Sequence, residues 1–140
     1  MTKNYKILGK YIKDMSSETA DIETYLFVKD YISKYQLNID ITSKALKDKL
    51  VEINTTFKFE DKEENSKKSH FEIIFATIIK VGDKIKEKKQ LEKIILCDVQ
   101  KEIYSSLEKT FLNLLHNSGY PDIKFEKKID FEKLYNEKFN

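Results

Sequence analysis

Alternation of apolar and polar residues predicts three strands in the first 81 residues. Residues 37–41 are apolar at odd positions and polar at even positions, which is the period of a half-buried strand. Residues 51–59 repeat the pattern, and the short link 47–49 favours an antiparallel pair. After a polar turn, residues 71–81 form a third predicted strand, and residues 5–15 add a candidate fourth.

The third strand is apolar on both of its faces. One face carries Phe71, Ile73, Phe75, Ile79 and Val81, and the other carries Ile74, Ala76 and Ile78. Such a strand needs cover on both sides. Helices cover one side, so the second is covered either by the N-terminal segment or by another subunit. We expect Ile74, Ala76 and Ile78 to contact another subunit, with cover from within the chain as the alternative.

Three- and four-residue spacing of apolar residues predicts a long helix over residues 100–118. Gly119 then ends it, and Pro121 prevents its continuation. A shorter helix is expected around residues 90–97. Asp130 caps a last helix over residues 131–138.

The order of strands followed by helices indicates an α+β fold. We predict an antiparallel sheet, four-stranded if residues 5–15 join it, packed by the long helix and by the short C-terminal helix, whose apolar contacts are Leu134 and Tyr135. A length of 140 residues with 40% hydrophobic residues suits a single core.

Composition narrows the class of protein further. Three glycines, one proline and one cysteine exclude low-complexity and disulfide-scaffold classes. Residues 1–6 lack the apolar stretch of a signal peptide, and the longest apolar run, residues 73–76, is too short to span a bilayer. Because Cys97 has no partner within the chain, we expect a reducing cytoplasm.

The charge pattern is typical of a solvated surface. All 26 lysine and arginine residues are lysines, the net charge is +2, and the lysines are interleaved with acidic residues, as over residues 84–89, rather than gathered into one basic block. Without arginine, the bidentate contact that guanine and phosphate recognition favour is missing. We therefore expect no nucleic-acid partner, and binding of nucleic acid through lysines and tyrosines is kept as an alternative of another class.

No residues form a recognisable catalytic, metal or cofactor motif. His70 and His116 lie on different predicted elements, Cys97 lies in an apolar run, and the glycines are isolated. The sequence therefore predicts a protein that is not an enzyme and has no cofactor. An enzyme with an apolar pocket and a carboxylate acid or base is the third class considered.

The crossover between the first two strands, residues 25–32, is rich in aromatic and aliphatic residues. Such a segment either seals the sheet or forms the wall of a groove for apolar segments of a partner.

Four short segments carry a family resemblance, in one order along nearly the whole chain. YIKDMSSE at residues 11–18 resembles Tyr-x-Lys-Asp-hydrophobic-Ser-x-Glu, and FVKDY at residues 27–31 resembles Phe-x-Lys-Asp-Trp. GYP at residues 119–121 and IDFEKLY at residues 129–135 follow the long helix. Together they resemble the SecB family of protein-export chaperones.

This resemblance implies a single SecB-like chaperone domain over residues 1–140, assembled as a homotetramer from two dimers. It implies a cytoplasmic protein that wraps unfolded preproteins in hydrophobic grooves and passes them to the SecA motor. It implies no cofactor, no ATP hydrolysis and no direct insertion into the membrane. A role as the SecB-like chaperone of a toxin-antitoxin pair is the alternative.

The resemblance also assigns residues. We expect Phe27, Tyr31, Leu37 and Ile39 to line the peptide groove, and the similar positions for SecA docking are Asp14 and Glu18.

The chain departs from the family pattern at three features. Its pI is about 8.4, where family members are acidic. The glutamate expected in the third strand falls on Ile74, and Glu72 would replace it only with a change of register. The Cys-Pro signature at the long helix is replaced by Val99 and Gln100, and the aromatic signature that follows by residues 104–108.

Overall fold

Four antiparallel strands form one sheet in the computed structural model, which describes residues 4–63, 65–125 and 129–139. The order across the sheet is β1-β4-β3-β2, so the first strand pairs with the last. The predicted strands are confirmed, and β1 and β2 extend beyond their predicted ends. The strands are β1 (Tyr5–Glu18), β2 (Gln36–Ala45), β3 (Leu50–Glu60) and β4 (His70–Val81).

Two bulges in β1 decide which of its side chains face the helices. The register with β4 shifts between Ile7 and Gly9 and again between Ile12 and Asp14. Each shift inserts one residue, so the alternation of faces along β1 is reset. As a result Ile12 lies on the helix side opposite Phe75, whereas Asp14 lies on the other side, opposite Ile74.

The long helix and the C-terminal helix are confirmed, and one helix had been missed. The crossover, which we expect either to seal the sheet or to form a groove wall, contains α1, which Asp21 caps by accepting the Thr24 N–H at 2.8 Å. Only Thr24 and Val28 of this helix are buried, so apolar residues on its outer side hide the helical period. The helices are α1 (Ile22–Tyr31), α2 (Lys88–Lys93), α3 (Val99–Asn117) and α4 (Phe131–Phe139).

The core lies between α3 and the helix side of β3 and β4. The Phe57 and Phe111 rings meet edge to face, with centroids 5.9 Å apart. Hydrogen bonds tie the two ends of α3 to β1, from the Tyr5 hydroxyl to the Glu102 carboxylate at 2.9 Å and between the Ser17 and Ser118 hydroxyls at 2.6 Å. Other large, fully buried core side chains are Val28, Ile53, Phe71, Ile73, Ile79, Val99, Ile103, Leu107 and Leu115.

A π-helical turn, Ile94–Asp98, joins α2 to α3. Beside it the buried Gln100 side chain donates to the Ile95 carbonyl at 3.1 Å and accepts from the Thr55 hydroxyl at 3.0 Å. A wide turn disrupts the regular hydrogen-bond ladder of a helix, and an unpaired buried carbonyl is costly. Gln100 therefore gives a carbonyl group of the turn a hydrogen bond, and it joins the turn to β3 through Thr55.

The C-terminal helix packs differently from the prediction in one respect. Asp130 caps it as expected, accepting the Lys133 N–H at 3.0 Å. The inward residue is Phe131, which is buried against the Tyr104 ring with centroids 5.4 Å apart. Leu134 was predicted as an apolar contact but is 49% exposed, because Phe131 in the first turn already occupies the core.

Candidate functional site

The outer side of α1 presents an apolar surface, here called the α1 patch, made of Ile22, Leu26, Phe27 and Tyr31. Val28 packs inward, and this leaves Ile22 72%, Leu26 54% and Phe27 39% exposed. The Phe27 ring stacks on the Tyr31 ring with centroids 5.6 Å apart and planes 16° apart. The Tyr31 hydroxyl donates to the Glu63 carboxylate, which fixes the outer end of the stack.

A second apolar surface, here called the β2 groove, lies between the edge strand β2 and α4. Ile39 and Ile41 project from β2 on the helix side, because they pair with Phe57 and Thr55 of β3. Leu96 of the π turn and Leu134 of α4 complete the groove, which has a volume of about 330 Å³. Phe131, Tyr135, Asp40 and Glu137 also line it.

The four residues predicted for the peptide groove form two pairs on separate elements. Phe27 and Tyr31 touch each other on α1, and Leu37 and Ile39 lie two positions apart on the helix side of β2. The wall opposite Ile39 comes from α4 and the π turn. Sequence reasoning missed Ile41, Leu96 and Leu134, although all three are apolar and lie on the predicted strand and helices.

The two acidic residues predicted for docking lie on the open side of the sheet, opposite the helices. Asp14 pairs with Ile74, and Glu18 pairs with His70. Both carboxylates are exposed because the second bulge of β1 turns this part of the strand outward. Asp14 and Glu18 therefore lie four residues apart along β1, on the same face and at one edge of the open side.

Glu72 reaches this acidic edge without any change of register. Glu72 pairs with Ser16, and Asp14 lies two residues before Ser16 on the same face of β1. Glu72 and Asp14 are therefore diagonal neighbours on one face of the sheet. The Glu72 carboxylate lies 3.2 Å from His70 Nε2. Glu72 thus supplies an acid close to Ile74, but it does not occupy the position of Ile74 itself.

The centre of the open side is covered by side chains from β1. The Tyr11 hydroxyl donates to Glu52 at 3.3 Å, and the Lys13 ammonium lies 3.4 Å from the Asn54 amide oxygen and 3.5 Å from the Glu52 carboxylate. Because β4 lies between β1 and β3, these side chains cross over Ala76, which is fully buried. Ile74 and Ile78 flank Ala76 and are half-buried.

The Glu52 carboxylate is the anchor of this cover. The Asn54 amide, the Lys13 ammonium and the Tyr11 hydroxyl lower the pKa of Glu52, and the Asn54 hydrogen bond is the largest cause. The group is therefore ionised at neutral pH and attracts Lys13 across the strand.

Reactive side chains are occupied or shielded. Cys97 is fully buried, and burial raises the pKa of its thiol, which disfavours the nucleophilic thiolate. The His116 ring bonds the Ile123 carbonyl at 2.9 Å. Within residues 4–63, 65–125 and 129–139, no three His, Cys, Asp or Glu side chains are grouped closely enough to hold a metal ion.

No helix in the described part of the chain is both long enough and apolar enough to cross a membrane.

Comparison with known sequences gives a match over the whole chain. The family described as "Preprotein translocase subunit SecB" matches residues 1–140. A protein of Pelagibacter ubique named "Putative protein-export protein SecB" is 61% identical over 140 residues, which is 100% of both chains.

Comparison with solved structures shows the same fold. A Mycobacterium tuberculosis protein, the Rv1957 SecB-like chaperone in complex with a ChAD peptide from the Rv1956 HigA1 antitoxin, superposes with a TM-score of 0.65. The match covers 90% of this chain and 91% of that one at 8% sequence identity. At this identity the likeness concerns the fold alone.

Proposed function

The chain belongs to the SecB family of protein-export chaperones, and we propose that it holds unfolded preproteins on the α1 patch and in the β2 groove. This activity is binding without catalysis, it needs no cofactor, and we place it in the cytoplasm. The observation that carries the proposal is the amount of apolar side chain left exposed on α1, where Ile22, Leu26 and Phe27 are each more than a third accessible.

The α1 patch suits segments of many sequences. Burial of apolar surface is non-directional and contributes about 25 cal/mol per Å² removed from water. The stacked rings of Phe27 and Tyr31 offer a flat, rigid area that loses little side-chain entropy when a ligand covers it. An unfolded preprotein exposes apolar side chains at irregular intervals, and such a surface accepts them without requiring one motif.

The β2 groove suits an extended segment. β2 is one of the two edge strands of the sheet, so its outer backbone groups are available to a further strand. Side chains of that strand would enter the groove beside Ile39, Ile41 and Leu134, and the main-chain hydrogen bonds would not depend on its sequence. Leu37 extends the same face of β2 toward the crossover.

SecA is the partner that we propose for the acidic edge. Asp14 and Glu18 are exposed there, and the Glu72 carboxylate is added to them. Three carboxylates on one edge favour a basic partner through charge complementarity. The basic pI of the whole chain does not remove this local negative charge.

We further propose that copies of the chain assemble into a tetramer of two dimers, with Ile74 and Ile78 at an interface. The expected contact of Ala76 with another subunit is not part of this proposal, because Ala76 is fully buried within its own chain. Ile74 and Ile78 would contribute the exposed apolar area, and Ala76 would lie beneath Tyr11 and Lys13. Charged replacements at Ile74 and Ile78 together would then lower the mass of the particle.

The sharpest test of the binding surface compares two double variants. Phe27→Ala with Tyr31→Ala removes the aromatic stack, and Leu8→Ala with Leu46→Ala removes exposed apolar surface elsewhere. We expect the first variant to bind a reduced, unfolded test protein about tenfold more weakly and the second to bind as the parent does. Equal binding by both variants, with folding intact, would reject the α1 patch.

Export is favoured over a toxin-antitoxin role. The relative with 61% identity carries an export name, whereas the chaperone bound to an antitoxin peptide shares 8% of its residues with this chain. An antitoxin chaperone would prefer one peptide, so comparable affinity for several unrelated unfolded proteins is the result expected for the export role.

A further inference from the structure

The lysines of this chain are concentrated at one end of the sheet. The β2–β3 turn, the loop that follows β4 and the start of β1 meet there, because Ala45 pairs with Val51, Val51 with Ile79, and Ile79 with Ile7. The Lys49 ammonium pairs with Asp83, and the Val81 N–H donates to the Lys49 carbonyl at 2.9 Å, which joins the two loops. We call this region, residues 4–10, 44–52 and 80–93, the lysine end.

The lysine end is strongly positive although the whole chain is nearly neutral. It holds eleven lysines and five acidic residues, whereas the net charge of the chain is +2. All eleven lysines are exposed. Among the described residues, Lys44, Lys47, Lys84, Lys86 and Lys89 have no ion-pair partner. The rest of the chain is therefore net negative, and this is where Asp14 and Glu18 lie.

Exposed leucines stand among these lysines. Leu46 begins the β2–β3 turn and is 42% exposed between Lys44 and Lys47. Asp48 and Lys49 both have φ near +60°, as in the tight turns of hairpins, so the turn projects Leu46 at the tip of the sheet. Leu8, in the first bulge of β1, is 51% exposed at the same end.

We propose that the lysine end binds the surface of a membrane rich in anionic phospholipids. Clustered lysines are attracted to anionic headgroups, and a few exposed leucines among them can enter the interface without crossing the bilayer. Nucleic acid fits this surface less well, because the lysine end contains no arginine and its one aromatic residue, Tyr5, is half-buried with its hydroxyl bonded to Glu102. The inference does not depend on the preprotein-binding surfaces.

Binding to lipid vesicles tests the inference directly. The full chain is mixed with vesicles of phosphatidylcholine alone or with added phosphatidylglycerol, and the bound fraction is measured by flotation at low and high salt. We expect binding only to the vesicles with phosphatidylglycerol, and we expect added salt to weaken it because salt screens exposed charges. Equal binding to neutral vesicles, or no binding to anionic vesicles at low salt, would overturn the proposal.

Two quadruple variants with equal net charge separate a local site from a general charge effect. Lys44→Glu, Lys47→Glu, Lys84→Glu and Lys86→Glu act at the lysine end, and Lys29→Glu, Lys34→Glu, Lys62→Glu and Lys68→Glu act elsewhere on exposed positions. We expect a loss of roughly six-hundredfold or more for the first set, at about fivefold for each lysine removed, and a much smaller loss for the second. Equal losses would reject the lysine end.

Two further measurements complete the test. Leu46→Ser, a single change at an exposed turn, should weaken binding to anionic vesicles several-fold, and an unchanged affinity would contradict insertion of Leu46. A single-stranded oligonucleotide that binds more tightly than anionic vesicles at the same salt would overturn the choice of lipid. The first quadruple variant should still bind unfolded protein as the parent does. Loss of vesicle binding would therefore leave the proposed preprotein binding intact, and the two proposals can be rejected independently.

Discussion

The Tyr25 hydroxyl donates to the Gly119 carbonyl at 2.9 Å, and the Tyr25 ring lies where a side chain on residue 119 would begin. This contact joins the crossover helix α1 to the end of α3, which are 94 positions apart in the chain. Tyr25 also packs on Tyr120, with ring centroids 5.5 Å apart. Residues that follow the long helix therefore support α1 on the side opposite the α1 patch.

Gly119→Ala should unfold the protein more readily. Gly119 has φ +109°, and an added Cβ would lie 2.4 Å from Tyr25 Cε1. The backbone strain alone costs about 1–2 kcal/mol, and displacement of Tyr25 adds to it. Gly9→Ala is the matched control, since no atom lies within 4 Å of a Cβ there. Urea unfolding measures both variants, and equal stabilities would contradict the role given to Gly119.

Gln100→Leu should lower the free energy of unfolding by about 1–3 kcal/mol, because the Ile95 carbonyl and the Thr55 hydroxyl each lose the hydrogen bond that they make with the Gln100 side chain in the core. Adding Thr55→Val removes one of these groups. The double variant should therefore lose less stability than the sum of the two single variants. Strict additivity in thermal or urea unfolding would show that Gln100 and Thr55 are not coupled.

Stability at alkaline pH should depend on Tyr5. Burial, followed by the hydrogen bond to Glu102 and the charge of that carboxylate, raises the pKa of Tyr5 above its ordinary value. The unfolded chain loses the phenol proton first, at a pKa of about 10, so the stabilisation is present below that pH and is lost as the pH rises above it. The free energy of unfolding should fall less steeply above pH ~10 in Tyr5→Phe than in the parent. Parallel pH profiles would contradict this.

Leu134→Glu should weaken binding of an extended apolar peptide. Leu134 is 49% exposed and lines the β2 groove, and a carboxylate there must lose water when a peptide covers it. Lys133→Gln is the control, because it changes the net charge by the same amount on the neighbouring exposed position. Fluorescence anisotropy of a labelled peptide should show a loss of about tenfold or more for Leu134→Glu alone. A similar affinity for both variants would reject the groove.

The sheet and the long helix could be predicted because each has a clear period. β3 alternates buried and half-buried residues along its whole length, and the buried residues of α3 recur every three or four positions. Gly119 and Asp130 then mark the helix ends with standard local chemistry. These signals are local, so one sequence is enough to read them.

The features that were missed depend on tertiary contacts. α1 buries only Thr24 and Val28, and its exposed apolar residues make the segment resemble a buried crossover. The bulges of β1 appear only when β4 is paired with it, and they decide that Asp14 lies on the open side. The β2 groove joins residues of β2, the π turn and α4, which no spacing along the chain connects.

The mass of the protein in solution tests most directly whether it binds unfolded proteins. This mass is measured by light scattering before and after a reduced, unfolded test protein is added. We expect a particle of about four chains that gains mass as it takes up the unfolded protein, and no gain with the same protein in its folded state. A particle whose mass is unchanged by the unfolded protein would contradict the chaperone function. The chain would then share only its fold with the chaperones of the family.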